Sequence, residues 1–481
     1  MSLVYRSVMM GLPVIAPPPA NVVNVSPGVT SSFINGLPQD TVIQFANGTY
    51  SGLALLPKAG QVFRGNPSDP DAVVLQGTGN FRAFHGGSGN ASGVTISGLT
   101  VTGYQSGMGS QFVSQPTGQS QDAKAQIGAI EDAGPDWQIA DCRLVANYCT
   151  GLRMGNGTRV SRCTISDNGH VGILVGRETN VNRARDTIIE DTTLDNNCRF
   201  NMNKTWDSGG IKYIGGATPG GLDPALLPAR NNIVRRCIIS HNNGPGIWWD
   251  WDVFDGEIHN CSIFGNHASG IVIEASATAY IHHNQIGDNC TGSLPALISF
   301  RCCALGVQNS KRCRIERNLF VINRENSMAL TQHNRATGTV NTPKGGVYIG
   351  WFTGTENEWT DNVYLMLANG PFVEQFANHS CSNPNVACTG VSCSFMCGTS
   401  QTGCNITSTP TGPTLGGNFM CFIPQAADDH HNLSTGNTYR IASGTPNKWP
   451  FDTAATTLGN PAAFVPDWQQ LPTWTTAPGK T

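Results

Sequence analysis

Lys212, Asp250 and Glu274 stand in three related phrases: Gly210-Ile211-Lys212, Gly246-Ile247-Trp248-Trp249-Asp250 and Gly270-Ile271-Val272-Ile273-Glu274. Asp250 and Glu274 are 24 residues apart. If that interval is one turn of a repeat, their Cα atoms lie about 5 Å apart. Two carboxylates that close repel. One takes up a proton, or the pair binds a divalent cation such as calcium, or a lysine compensates the charge. An acid–base pair of this kind can break a glycosidic bond, and close carboxylates fit retention better than inversion. Lys212 can instead act as base in β-elimination of a uronate, with a metal or carboxylic acid neutralising the substrate carboxylate. Trp248 and nearby Trp206 offer flat faces for sugar rings. The candidate set is Asp250, Glu274 and Lys212 for catalysis, and Trp248, Trp206 and Asp252 for substrate binding.

A repeat decides whether these side chains meet. The segments IADCRLVAN (139–147), VSRCTISDN (160–168), IEDTTLDNN (189–197), VRRCIISHN (234–242), IHNCSIFGN (258–266), IHHNQIGDN (281–289) and IERNLFVIN (315–323) share one pattern. WTDNVYLML (359–367) keeps it without the last asparagine. Ahead of these runs a glycine column: Gly128, Gly151, Gly172, Gly210, Gly246, Gly270, Gly306 and Gly346, each followed by a small or branched apolar residue. Strands this short cannot form a core alone. Stacked coils pair each strand with its equivalents above and below, so like residues stack and asparagines can form amide ladders. That is the signature of a parallel β-helix, an all-β solenoid. Helical solenoids need a 3.6-residue period, which is absent.

Alternation along the strand assigns faces. Counted from the column glycine, positions +1 and +3 point inward, as Ile247 and Trp249 do. Positions +2 and +4 are expected to face water: Lys212, Trp248, Asp250 and Glu274 fall there. Glu131 and Asn309 break the rule at +3. Asp252 lies past the strand, in a turn. Outward carboxylates on a solenoid are often just solvated, and Trp206 reads more readily as a simple packing residue than as a sugar platform. Cys142/Cys163 and Cys237/Cys261 fit interior stacks, where disulfides are geometrically allowed, and no histidine beside them suggests a catalytic thiol.

Composition sets the class. Charged residues are 13% and glycine is 56 of 481, which suits short strands joined by tight turns. The net charge of −3, with no basic block, argues against nucleic acid and anionic membranes as main partners. No apolar run reaches the ~18 residues of a membrane span. Residues 1–20 make a poor signal peptide, interrupted by Pro13. Of sixteen cysteines, six (Cys381, Cys388, Cys393, Cys397, Cys404 and Cys421) fall in one loop-like segment. This reads as a disulfide-stapled subdomain in an oxidising compartment, with a zinc knuckle as the lesser alternative.

The repeat resembles the right-handed, pectate-lyase-like β-helix proteins over roughly 40–365, most strongly over 128–323. The resemblance implies a right-handed parallel β-helix solenoid with a Cys-rich C-terminal cap. The expected organisation is 1–40 as leader and N-terminal cap, 41–365 as β-helix, 366–425 as Cys-rich insertion or cap, and 426–481 as a tail packing on the helix. Inserts at 104–125, 215–231 and 324–344 are expected to project and could wall a cleft. The series Trp206 to Lys212, Gly246 to Asp250 and Gly270 to Ser276 resembles a block in bacterial secreted β-helix proteins, most without an established activity. The polygalacturonase pattern is absent, since Arg314-Ile315-Glu316 breaks its last motif. The resemblance implies an extracellular or cell-surface protein that takes a polysaccharide or glycan, as a polysaccharide lyase or glycoside hydrolase. The rival is a non-catalytic adhesin, glycan-binding module or structural rod, because fold does not fix function.

Overall fold

The computed structural model describes residues 21–79, 82–86, 91–105, 127–176, 185–200, 208–214, 229–250, 253–274, 276–291, 303–308, 310, 312–322, 326–331, 357–366, 433–435 and 438–441. The six clustered cysteines and most of the three inserts lie outside these residues. Among the described residues, strands form three long ladders of 13, 12 and 9 members, and a small two-stranded one. Among the described residues every strand pair runs parallel, and a coil gives one strand to each long sheet. Arg159–Ser161 belongs to the first sheet, Thr164–Ser166 to the second and Ile173–Gly176 to the third. The next coil repeats this with Ile188–Glu190, Thr193–Asp195 and Ile211–Ile214. The ladder begins with Asn21–Val25 against Thr41–Phe45 and ends with Leu433–Thr435 and Thr438–Ile441.

The corners explain the repeat pattern. The residue before each Cys, Thr or Asn of the first column has a left-handed backbone: Asp141 (φ 54°), Arg162 (51°), Asp191 (50°), Arg236 (53°) and Asn260 (54°). The residue before each ladder asparagine does the same, as at Asp167 (57°), Asn196 (53°) and His241 (52°). One such residue bends the chain sharply between sheets, and Asp and Asn tolerate it better than most.

The asparagine and glycine columns account for each other. Asn147, Asn168, Asn197, Asn242, Asn266 and Asn289 are buried and joined amide to amide at 2.9–3.1 Å. Each Oδ1 also accepts the main-chain N–H of the preceding asparagine, as from Asn147 to Asn168 at 3.2 Å. Each Nδ2 also donates to a main-chain carbonyl one coil back, as from Asn168 to Leu144 at 3.0 Å. The buried amides are thereby satisfied. A Cβ at Gly246 would lie 3.0 Å from the Asn266 Nδ2 and 2.6 Å from the Gly270 oxygen. Glycine is required there by close approach.

The interior is filled by stacked aliphatics. In the third sheet Leu152, Ile173, Ile211, Ile247, Ile271 and Leu305 lie in register and are fully buried. Each contributes roughly 1.5–3 kcal/mol of burial. Cys142, Cys163, Cys237 and Cys261 are buried free thiols whose Sγ atoms meet main-chain carbonyls. Burial pushes the Cys142 and Cys237 thiols well up, the opposite of a reactive cysteine.

Two glycines prove not to belong to the column. Gly128 pairs with Thr150, and Ile130 with Leu152, so this strand is displaced by one residue. Glu131 therefore lies on the outward face beside Arg153, and its conflict with the alternation disappears. Gly306 pairs with Val272 while Leu305 pairs with Ile271, so Gly306 is itself an outward position. Asn309 lies outside the described residues.

Candidate functional site

The three phrases containing Lys212, Asp250 and Glu274 fold as consecutive strands of the third sheet. Ile211–Ile214 pairs with Ile247–Asp250, which pairs with Ile271–Glu274. Lys212 faces Trp248 across the first pairing, and Asp250 faces Glu274 across the second. Ile247 and Trp249 point inward, as the alternation predicts. The Trp249 ring meets Tyr213 edge-on at 5.7 Å and presses against Gly256, where even a Cβ would clash.

Contacts on the opposite face run diagonally, from position +2 of one coil to +4 of the next. The Lys212 Nζ donates to the Asp250 Oδ2 at 2.8 Å. The same Nζ lies 3.1 Å from the centre of the Trp248 ring. The Trp248 Nε1 donates to the Glu274 Oε2 at 2.9 Å. Lysine, tryptophan and two carboxylates thus form one connected cluster. Of the three fates open to a close carboxylate pair, compensation by lysine is the one observed at Asp250.

The expectation that these four side chains face water is corrected. Lys212 and Trp248 are each 1% exposed, Glu274 is 0% and Asp250 is 7%. They point away from the aliphatic core, as alternation requires, but they are buried. Alternation tells which side of a strand a residue takes; it does not tell what packs on that side. Asp250 is the member nearest solvent. Buried together, the charges act in a low dielectric, where removing either partner of the ion pair takes a buried counter-charge from the other. The desolvated lysine–tryptophan contact adds up to about 2 kcal/mol. Trp206 and Asp252 lie outside the described residues.

A second polar group on the same face was not singled out in the sequence. Arg153 Nη1 meets Glu131 Oε1 at 3.3 Å, with both side chains buried. The Glu131 carboxylate also accepts the main-chain N–H of Gly128. Burial first, and the Glu131 charge second, push the neighbouring Cys149 thiol up to about 12. Leu174 and Ile214 stand between this pair and the Lys212 cluster. Its sequence signal was the break at Glu131, which a one-residue shift of register would have explained.

Three comparisons bear on this architecture. A family model described as the right handed beta helix region matches residues 197–320, which include all four members of the cluster. No curated protein matches the chain in sequence. Among solved structures, the chain is similar to the A-module of an Azotobacter vinelandii mannuronan C-5 epimerase, at 15% identity and a TM-score of 0.44, covering 75% of this chain and 88% of that one. It is similar to an alginate lyase from Paenibacillus sp. str. FPU-7, at 13% identity and a TM-score of 0.36, covering 87% and 95%. It is also similar to a DFA-IIIase from Arthrobacter chlorophenolicus A6, at 11% identity and a TM-score of 0.38, covering 68% and 76%. At such identities the activities in those names stay with those proteins. Among the described residues no helix is long and apolar enough to cross a membrane.

Proposed function

We propose that this right-handed parallel β-helix protein cleaves a polysaccharide at the outward face of its third sheet. Asp250 and Glu274 serve as the carboxylate pair. The observation that carries the reading is their register: the two residues face each other on adjacent strands, beside a lysine and a tryptophan. Adjacent strands hold Cα atoms ~4.8 Å apart. That spacing suits the close carboxylates of retaining glycoside hydrolysis. In this scheme Asp250, nearest solvent, meets the sugar. Lys212 donates to Asp250 and lies over the Trp248 ring, so it contributes as a cation and leaves proton transfer to the carboxylates. This favours hydrolysis over β-elimination with Lys212 as base. The setting we infer is extracellular or cell-surface, where such substrates occur.

The test is a polysaccharide panel with the full chain, Asp250→Asn and Glu274→Gln. Hydrolysis yields new reducing ends without the ultraviolet absorbance of an unsaturated sugar, and each substitution lowers the rate by at least about 100-fold. Activity that survives both substitutions together overturns the site. Unsaturated products overturn the hydrolase in favour of a lyase.

The burial of the cluster favours a second reading, in which it is a structural plug in a glycan-binding or structural rod. Glycan binding without turnover, unchanged in Asp250→Asn, would select that reading.

A further inference from the structure

Away from the third sheet, the first sheet carries a different cluster. Glu257–His259 pairs in parallel with Tyr280–His282, so His259 and His282 face each other one coil apart. Glu257 and His259 are two residues apart on one strand and share its outward face. The two imidazoles stack at 5.0 Å with their planes 5° apart. His282 Nε2 lies 2.6 Å from Glu257 Oε1, and His259 Nε2 lies 3.9 Å from the same oxygen. One ligand atom from each of the three residues falls within 4.8 Å of the others. Side-chain exposures are 15% for His259, 13% for His282 and 35% for Glu257. The group is half-buried and reachable from solvent.

We propose that Glu257, His259 and His282 bind one divalent first-row transition metal ion, with zinc as the representative. Two imidazoles and one carboxylate suit zinc, nickel or cobalt; calcium and magnesium prefer oxygen alone. In a tetrahedral zinc site with bonds of about 2.0–2.1 Å, neighbouring ligand atoms stand roughly 3.3 Å apart. The two observed separations fall on either side of that value, each within about 1 Å of it. Small side-chain rotations on a fixed sheet therefore bring the three donors to one centre. The contact between His282 and Glu257 opens as the ion enters, and water fills the remaining positions.

The surroundings isolate this carboxylate for a metal. Arg235, which faces His259 from the preceding coil, is held by Glu190 at 2.6 Å. Arg236 is held by Glu190 and Asp191. Glu316, which faces His282 from the following coil, is taken by Tyr280, Arg314 and Arg317. Among the described residues, Glu257 meets histidines and no arginine. The neighbouring arginines are paired with other carboxylates, and the Glu257 carboxylate stands beside two imidazoles.

The experiment titrates the metal-stripped full chain with zinc chloride by calorimetry. The expected result is one binding class of single stoichiometry that disappears in His259→Gln and in His282→Gln. Glu257→Gln should weaken it by at least the ~10–100-fold that loss of an outer-shell partner costs elsewhere. His241→Gln, at another corner, should keep it. Circular dichroism of the metal-free variants checks that they fold like the parent chain. X-ray absorption of the zinc-loaded parent chain, independent of any variant, should show a nitrogen and oxygen shell. No zinc binding, binding equal in all variants, or a sulfur-dominated shell overturns the proposal.

Discussion

The third and first sheets use the same ladder to make opposite electrostatic environments. On the third sheet, Lys212, Trp248, Asp250 and Glu274 are sealed and linked to one another by an ion pair and a hydrogen bond. On the first sheet and its corners, a stripe of partly exposed arginines covers buried carboxylates: Arg159, Arg235 and Arg236 surround Glu190, and Arg314 and Arg317 flank Glu316. Strand spacing is the same in both, so exposure makes the difference. Both charges of the sealed ion pair are withdrawn from water, whereas on the stripe the arginines share theirs with water and salt.

The largest effect should come from breaking the sealed pair. Asp250→Ala removes the carboxylate that the buried Lys212 ammonium meets at 2.8 Å and should cost ~3–5 kcal/mol. The paired change Lys212→Met with Asp250→Leu should cost less than Asp250→Ala alone, since it removes both charges of the pair together. Denaturant midpoints of the three proteins measure this. A loss below ~1 kcal/mol for Asp250→Ala would place the cluster with the exposed pairs and erase the contrast. Next is Trp248→Phe, which keeps a ring beside Lys212 but withdraws the N–H from Glu274. A loss of ~1–3 kcal/mol is expected from taking one donor from a buried carboxylate.

The stripe should show itself through pH. Burial alone would push the Glu190 carboxyl up, but Arg159 and Arg235 outweigh it and hold the folded value below the ordinary one. A carboxylate lowered on folding stabilises above its unfolded value of about 4.3, and the benefit goes as pH falls through the folded value. The parent chain should therefore lose more stability on acidification through this range than Glu190→Gln does. Melting temperatures across pH 3–6 test the sign (roughly the range in which carboxylates titrate). The smallest effect belongs to the corner pair of Arg162 and Asp141, joined at 2.7 Å but more than half exposed at the arginine. Arg162→Ala should cost ~0–1 kcal/mol, and high salt should remove the difference.

Particular residues show how far sequence reading reached. Asn242 and Gly246 were readable because a ladder repeats one residue type in every coil, and a column of like residues survives variation around it. The inward direction of Ile247 and Trp249 followed from a period of two. The displaced strand at Gly128 was not readable from spacing, because the pairing shifts along this strand: Leu152 meets Ile130, but Met154 meets Ala133. Glu257, His259 and His282 were visible as Glu-Ile-His and Tyr-Ile-His 23 residues apart. His259 and His282 occupy the same variable position of two aligned repeats, and a position that varies from coil to coil carries no signal in the repeat pattern.

The amino-acid order alone specified the coil: an asparagine ladder, a glycine column and aliphatic rows between. These are local and periodic, so one dimension suffices to carry them. It also specified that Asp250 and Glu274 share a face and a register. The third dimension decided that this face is closed, that Lys212 reaches across a diagonal to Asp250, and that two histidines stack beside Glu257. Burial and diagonal reach depend on what other segments place against a strand, and no period within the strand encodes that.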